Sequence, residues 1–210
     1  MSAPNLAERL GRPPGAKLLI VHADDAGMCH SANAATMRAL TEGIVSSTSV
    51  MVPCPWFPEL AAWVREHPEA DVGVHLTLTS EWRYYRWRPT APLTSVPGLL
   101  DGEGFMWREP EEVSAHASPT EVEIELRAQI EQALAFGIRP THLDSHMGTL
   151  YYDPRYLQVF VAVSRAYGMT PMLVEPPPDL IAHGRRLGFD YAGYMSGLRN
   201  EGFPLLDRLI

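Results

Sequence analysis

The sequence predicts an α/β protein in which parallel β-strands alternate with helices. Short segments rich in branched apolar residues are separated by longer segments whose apolar residues recur at helical spacing. At 210 residues, the chain has the length of one domain with a full hydrophobic core. We therefore expect a single domain over residues 1–210, built as an open sheet or as a barrel.

The first strand and helix are predicted from an apolar run and from helix-capping residues. Residues 17–22, with the sequence KLLIVH, are typical of a strand covered on both faces. Ser31 is expected to cap the helix that follows, and Gly43 is expected to end that helix in the left-handed conformation. The segment therefore forms a strand, a loop and a helix.

The same pattern repeats before a long irregular segment begins. Residues 44–52 are rich in β-forming residues, residues 58–67 carry apolar side chains at helical spacing, and residues 71–79 alternate as a third strand. Residues 80–117 are rich in Pro, Trp and Arg and are longer than an ordinary connection. That length favours a functional loop, either a lid or a wall of the substrate site.

The second half opens with a helix whose start is marked by a capping box. Ser118 and Glu121 form the box around Pro119, and Gly137 ends the helix. The elements expected after it are a strand over 139–148, a helix from Asp153 and Pro154 to Gly168, and a fifth strand over 170–174.

Composition and charge exclude several classes of partner. The net charge of −8 disfavours nucleic acid and anionic membrane surfaces. The N-terminal residues do not resemble a signal peptide, and no apolar run reaches the length of a bilayer span, so we expect a cytoplasmic protein. Cys29 and Cys54 lie outside any CxxC arrangement and are expected to be reduced thiols.

Polar residues gather at the predicted carboxyl ends of three strands. Reactive groups of parallel α/β proteins lie at these ends, where loops and helix N-termini meet. In an extended strand, the three polar residues of the fourth segment would share one face, although a helix would also align its two histidines. The candidates are Asp24 and Asp25 after the first strand, His75 on the third, and His142, Asp144 and His146 on the fourth.

One carboxylate with two imidazoles suits a divalent metal such as zinc, and it also suits other first-row ions. A second carboxylate beside the first could accept a proton from water, which would explain the paired aspartates. Each feature also has an ordinary structural explanation: adjacent aspartates often cap helices, and a strand histidine is often simply hydrogen-bonded. Their joint occurrence at three strand ends is what favours a catalytic site.

The motifs HADDAGM, VGVHL and THLDSH, in this order, resemble those of the YdjC/ChbG family of carbohydrate deacetylases. The neighbouring GIVSSTSVMV resembles that family's second strand, and the resemblance covers roughly residues 17 to 175. It implies a distorted (β/α) barrel of parallel strands. The family usually has later strands than this chain carries, so we expect a barrel that is incomplete at its C-terminus. A second copy of the chain could cover the open edge as a homo-oligomer.

The resemblance also implies a function and a set of site residues. It implies metal-dependent hydrolysis of the N-acetyl group of an amino sugar or oligosaccharide, with one magnesium or zinc ion. It maps the metal ligands onto Asp25, His75 and His146, and the general base onto Asp24. Asp144 either orients a ligand or bonds to backbone. His142 is expected to be structural or to support a ligand, and an exchange of roles with His146 is the main alternative.

The segment EWRYYRWRP, residues 81–89, interleaves aromatic and basic side chains directly after the His75 strand. Trp82 could stack on a sugar ring, while Arg83, Arg86 or Arg88 could bond hydroxyls or an anionic substituent. The same pattern also suits single-stranded nucleic acid or a rim loop packed on the fold.

Two further functions remain open: metal-dependent hydrolysis of another bond such as a phosphoester, and a catalytically silent carbohydrate-binding protein.

Overall fold

A computed structural model describes residues 6–13 and 15–209, which divide into two compact units. The larger unit spans residues 22–171, and the smaller contains the described residues before 22 and after 171. The larger unit holds every candidate site residue. Among the described residues, no helix combines the length and the apolar character that a membrane crossing requires.

A five-stranded parallel sheet forms the centre of the larger unit, and its strands lie in sequential order. Two of the three inner strands, β2 and β3, are buried along their whole length, as expected for parallel strands covered on both faces. The five strands are β1 (His22–Ala26), β2 (Ser47–Val50), β3 (Val72–Leu76), β4 (His142–Ser145) and β5 (Thr170–Pro171).

Helices connect successive strands, and α5 packs on β3 and on α7. Leu126 and Ile130 of α5 meet the apolar residues of the sheet in a core from which solvent is excluded. The helices of the larger unit are α2 (His30–Glu42), α3 (Phe57–Glu66), α4 (Pro110–His116), α5 (Pro119–Ala135), α6 (Thr149–Tyr152) and α7 (Pro154–Tyr167).

The smaller unit contains short elements only. Its parallel pair β6 and β7 joins Leu173 to Leu205. Its elements are α1 (Leu6–Arg9), β6 (Leu173–Val174), α8 (Pro178–Arg186), α9 (Tyr191–Asn200) and β7 (Leu205–Leu206).

Local capping signals correctly predicted two helices. Ser118 accepts a hydrogen bond from the Glu121 amide, and the Glu121 side chain accepts one from the Ser118 amide. Asp153 caps α7, and Gly168 ends it in the left-handed conformation. Each motif is formed by residues a few positions apart in sequence, so the sequence alone can indicate it.

Other local predictions were wrong. The strand expected over 17–22 begins only at His22, and the apolar run before it is exposed, with Leu19 at 74%. Cys29, not Ser31, occupies the N-cap of α2, and Gly43 at its end has φ −105°, which is outside the left-handed region. The fifth predicted strand, 170–174, divides into β5 and β6, which belong to different sheets.

The sheet contains parallel strands, as the sequence predicts, but the described residues form no closed barrel. The strand β1 and the two-residue β5 lie at the two edges. Cys29 and Cys54 are free thiols, in agreement with the sequence analysis.

Buried polar side chains fix the long loop over residues 80–117. The carboxylate of Glu125 on α5 accepts hydrogen bonds from the backbone amides of Thr90 and Ala91, at 2.9 and 2.8 Å. Gln129, one turn further along, bonds both the amide and the carbonyl of Thr77. The loop is therefore attached to α5 along one side and is ordered without regular strands.

Candidate metal centre

Three strand ends bring Asp25, His75 and His146 together. Asp25 lies near the end of β1, His75 lies on β3, and His146 directly follows β4. Oδ1 of Asp25 is 3.3 Å from Nε2 of His75 and 3.1 Å from Nδ1 of His146. The two imidazole nitrogens are themselves 3.2 Å apart. One carboxylate oxygen and two ring nitrogens therefore point at a single position.

These separations and donor types fit a divalent cation. Metal–ligand bonds of about 2.1 Å place neighbouring ligands about 3.0 Å apart in octahedral geometry and about 3.4 Å apart in tetrahedral geometry. The observed values lie between these limits. Oδ1 of Asp25 is buried and has no hydrogen-bond partner among the described residues, although the side chain as a whole is 38% exposed. The ring nitrogens of His75 and His146 face this oxygen at 3.3 and 3.1 Å, and a cation bound between the three atoms would pair with all of them.

The backbone of Asp25 explains how its side chain reaches the two histidines. Asp25 has φ +58°, in the left-handed region, which Asp and Asn enter more readily than most residues. The pairing of β1 with β2 shifts register between Ala23 and Ala26 at the same place. The irregularity turns the Asp25 carboxylate out of the ordinary strand alternation.

A buried asparagine holds the turn that follows. Gly27 has φ +90°, and its amide donates to Oδ1 of Asn33 at 2.6 Å. The Asn33 amide group in turn donates to the Trp56 carbonyl and to the Glu59 carboxylate. Asn33 therefore ties the turn after Asp25 to α2 and α3.

The electrostatics of the three residues couple cation binding to pH. Burial would raise the pKa of Asp25, but the contacts with His146 and His75 hold it well below its usual range. Burial of the two imidazoles would lower their pKa values. The carboxylates of Asp144 and Asp25 nevertheless raise the pKa of His75. Those of Asp25 and Glu81 raise the pKa of His146. Acid pH therefore favours protons over a cation at this position.

Asp144 is a buried carboxylate shared by three side chains. It accepts hydrogen bonds from Nδ1 of His75 at 2.8 Å, from Oγ of Ser49 at 2.7 Å and from Nε2 of His22 at 3.2 Å. Burial would raise the pKa of Asp144, but His75, His22 and Ser49 together lower it. With one hydrogen on Nδ1 for Asp144, a neutral His75 ring can present its Nε2 lone pair to a cation beside Asp25.

His142 lies outside the group of three. Its Nδ1 is 2.8 Å from Oγ1 of Thr141, its ring packs edge-to-face on His22 at 5.4 Å, and its Nε2 has no hydrogen-bond partner among the described residues. Burial lowers its pKa. The structure thus places His146, and not His142, with Asp25 and His75.

Asp24 precedes Asp25 and is exposed. Within the described part of the chain, no hydrogen bond or ion pair engages its carboxylate. Asp24 therefore stands next to the group of three in sequence with its side chain open to solvent.

The arginines of the 81–89 segment have different environments. Trp82 is 49% exposed, and Arg83 lies over the ring of Tyr84 at 4.9 Å. The side chain of Arg86, by contrast, is only 4% exposed; it donates to Asp101 at 2.8 Å and to the Met106 carbonyl at 2.6 Å. Arg86 therefore holds the loop together, which leaves Trp82 and Arg83 as the exposed candidates for substrate contact.

Three residues of the site were not predicted from the sequence: Glu81, His22 and Ser49. Oε2 of Glu81 is 3.1 Å from Nε2 of His146, and the other two contact Asp144. Two sequence signals were available. His22 opens the HADDAGM motif, and Glu81 is the first acidic residue after the His75 strand.

Comparisons with known proteins give a consistent result. The YdjC-like protein family matches residues 18–204. A carbohydrate deacetylase from Thermus thermophilus is 39% identical over 183 residues, which cover 84% of this chain and 63% of that protein. A chitooligosaccharide deacetylase from Yersinia enterocolitica is 38% identical over 135 residues, which cover 62% of this chain and 49% of that protein.

A solved structure agrees with the sequence comparisons. The crystal structure of an Enterococcus faecalis protein, proposed to cleave cellobiose phosphate, has a TM-score of 0.70 and 29% identity, covering 78% of this chain and 61% of that one. The chain spans between 49% and 63% of the length of these relatives. The match over most of the chain shows that it belongs to the YdjC-like family.

Proposed function

We propose that the chain carries a metal-dependent hydrolase that removes the acetyl group from an N-acetylated amino sugar or oligosaccharide. The reaction cleaves the amide carbon–nitrogen bond and releases acetate and an amine. The observation that carries this proposal is the convergence of Asp25 Oδ1, His75 Nε2 and His146 Nδ1, all within 3.3 Å of one another. The deacetylase names of the relatives support the choice of substrate.

The three converging residues would hold the cation, and two imidazoles with one carboxylate favour zinc or a similar first-row ion over magnesium, which prefers oxygen ligands. A bound divalent cation supplies a Lewis acid that polarises the amide carbonyl and makes water a stronger nucleophile. The chain's own contribution is to fix the donor atoms. Asp144 fixes the ring of His75, because its carboxylate accepts the Nδ1 hydrogen and the Nε2 lone pair is then available to the cation.

Asp24 is the residue that we assign as general base. Its carboxylate is exposed and unengaged within the described chain, and its neighbour Asp25 holds the cation position. An unengaged carboxylate can take the proton that water gives up as it attacks the carbonyl. Asp25 cannot take this role at the same time, because its inward oxygen faces the two imidazoles.

The substrate is expected to lie between the cation position and the exposed side chains of the 81–89 segment. Trp82 offers an aromatic face for a sugar ring, and Arg83 offers hydrogen-bond donors for hydroxyl groups. Such a surface fits a carbohydrate, and the negative net charge of the chain disfavours nucleic acid.

We also propose that the sheet is part of a distorted (β/α) barrel. Its five strands follow one another in sequential order with parallel pairing. Barrels have this order, whereas doubly wound open sheets reverse direction at a switch point.

Acetate release tests the proposed function. The native chain, loaded with Zn²⁺, is assayed on a panel of N-acetylated mono- and oligosaccharides beside Asp24→Asn and the control Glu123→Gln, an exposed carboxylate on α5. General-base catalysis contributes about 10²- to 10⁴-fold, so Asp24→Asn should lose at least about 100-fold in kcat while it still binds Zn²⁺.

Three outcomes would contradict parts of the proposal. Equal turnover by the native chain and Asp24→Asn would remove the aspartate from the base role. Phosphate release from a phosphorylated disaccharide without acetate release from any sugar would favour phosphoester hydrolysis. Carbohydrate binding without turnover would identify a silent binding protein.

A further inference from the structure

The two nitrogens of the His146 ring face different carboxylates. Its Nδ1 is 3.1 Å from Oδ1 of Asp25 and 3.2 Å from Nε2 of His75, at the proposed cation position. Its Nε2 faces the opposite way and is 3.1 Å from Oε2 of Glu81. Glu81 therefore contacts the ring on the side away from the cation position.

In this arrangement, cation binding would determine where the ring hydrogen lies. A neutral imidazole carries one hydrogen, and an ionised carboxylate can only accept. Nδ1 faces Asp25 and Nε2 faces Glu81, so a cation that takes the Nδ1 lone pair leaves the single hydrogen on Nε2, where Glu81 accepts it. We infer that Glu81 is a positioning residue that fixes the tautomer and the orientation of His146 for metal binding. This inference rests on the proposed metal site and not on the identity of the substrate.

The same arrangement occurs independently at the other imidazole. His75 presents Nε2 to the cation position and donates from Nδ1 to the buried carboxylate of Asp144 at 2.8 Å. Each histidine thus carries a carboxylate on the nitrogen that faces away. Carboxylates in this relation to a metal-bound histidine orient the ring and raise its basicity.

Glu81 is itself held in place by the long loop. Its side chain is 26% exposed, and its backbone carbonyl accepts from Nη1 of Arg108 at 3.3 Å. The same arginine nitrogen donates to the Trp82 carbonyl at 2.7 Å. The Trp87 ring lies edge-on to His146 at 6.4 Å. Glu81 therefore couples the loop that carries Trp82 to one of the metal ligands.

Cobalt binding tests this inference without any substrate. Co²⁺ is titrated into the metal-free native chain, Glu81→Ala, Glu81→Gln and the control Glu103→Gln, and the visible absorption of the complex is recorded. Glu103 belongs to the same loop, and its side chain is 73% exposed. Circular dichroism of the metal-free proteins checks the fold.

We expect Glu81→Ala to weaken Co²⁺ binding by about 10- to 100-fold, and Glu81→Gln by no more than about threefold, because the glutamine carbonyl still accepts the Nε2 hydrogen. The Glu81→Gln complex should keep the native absorption spectrum, since the ligand set is unchanged. Glu103→Gln should bind Co²⁺ as the native chain does.

Several results would overturn the inference. Native affinity in Glu81→Ala would remove the positioning role. Equal losses in the alanine and glutamine variants, or a changed spectrum in Glu81→Gln, would instead make Glu81 a ligand or a source of charge alone. If Glu81→Ala does not fold, a loss beyond tenfold in Glu81→Gln is sufficient to overturn it. A native chain that binds no Co²⁺ would overturn the proposed metal site as well.

Discussion

Replacement of Asp144 by asparagine tests how the buried polar cluster supports both the fold and the metal site. The carboxylate is 1% exposed and accepts from three donors, on His75, Ser49 and His22. An asparagine amide offers one acceptor oxygen and one NH₂ group. The substitution therefore removes the negative charge that all three bonds share, and Ser49 and His22 can bond the NH₂ group only if their own hydrogens are rearranged.

The size of the effect follows from these contacts. A hydrogen bond to a buried charge contributes about 1.5 to 3 kcal/mol, and an unpaired buried group costs a further amount of the same order. We expect Asp144→Asn to lower the free energy of unfolding by about 3 kcal/mol. For a chain of this length, that corresponds to a fall of about 6 to 12 °C in the melting temperature.

Calorimetry of the metal-free protein measures the loss of stability, and Co²⁺ titration measures the effect on the site. Glu81 accepts from one ring, whereas the amide that replaces Asp144 must serve three groups at once. Its oxygen is therefore not held on Nδ1 of His75, and Co²⁺ affinity should fall about 10- to 100-fold. The control Glu123→Gln alters an exposed pair with Arg127 and should change stability by about 0.5 kcal/mol or less. A melting temperature within about 2 °C of the native value, together with native Co²⁺ affinity, would show that the Asp144 carboxylate supports neither the fold nor the metal site.

Two further predictions concern α5. Ser118→Ala removes the N-cap acceptor of the Glu121 amide and should lower the free energy of unfolding in urea by about 1 kcal/mol; an unchanged midpoint would contradict the cap's contribution. Burial raises the pKa of Glu125 to about 7 despite the opposing bonds from Ala91 and Thr90. The pKa of Glu125 is therefore higher in the folded chain than in the unfolded chain, so protonation of Glu125 stabilises the fold. This stabilisation is complete below about pH 4.5 and is lost as the pH rises through 7. The stability of the native chain relative to Glu125→Gln should therefore decline over this window in urea titrations, and a flat difference would be evidence against the raised pKa.

The parts of the fold that could be predicted are those with local or topological causes. The start of α5 was predictable because Ser118 and Glu121 lie three residues apart. The strand ends predicted a polar site in outline, since the carboxyl ends of neighbouring parallel strands share one edge. The choice of Asp25, His75 and His146 among the six candidates came from the family resemblance.

The remaining features depend on contacts between residues far apart in sequence. Residues 18–20 have the composition of a buried strand, yet nothing in their own sequence shows that they remain exposed. The direction of the Arg86 side chain is set by Asp101, and the pairing of Glu81 with His146 joins residues 65 positions apart. Hydrophobic pattern and spacing carry no information about such partners.

The left-handed backbone at Asp25 has a consequence for any attempt to transfer this site to another scaffold. Most side chains with a Cβ branch or greater bulk disfavour φ near +58°, whereas aspartate tolerates it and also supplies an oxygen donor. Glutamate would keep the charge and lose this tolerance, and glycine would adopt the conformation and lose the donor. A scaffold that receives the two histidines must therefore also receive the left-handed backbone conformation at the aspartate, because the position of the carboxylate depends on it.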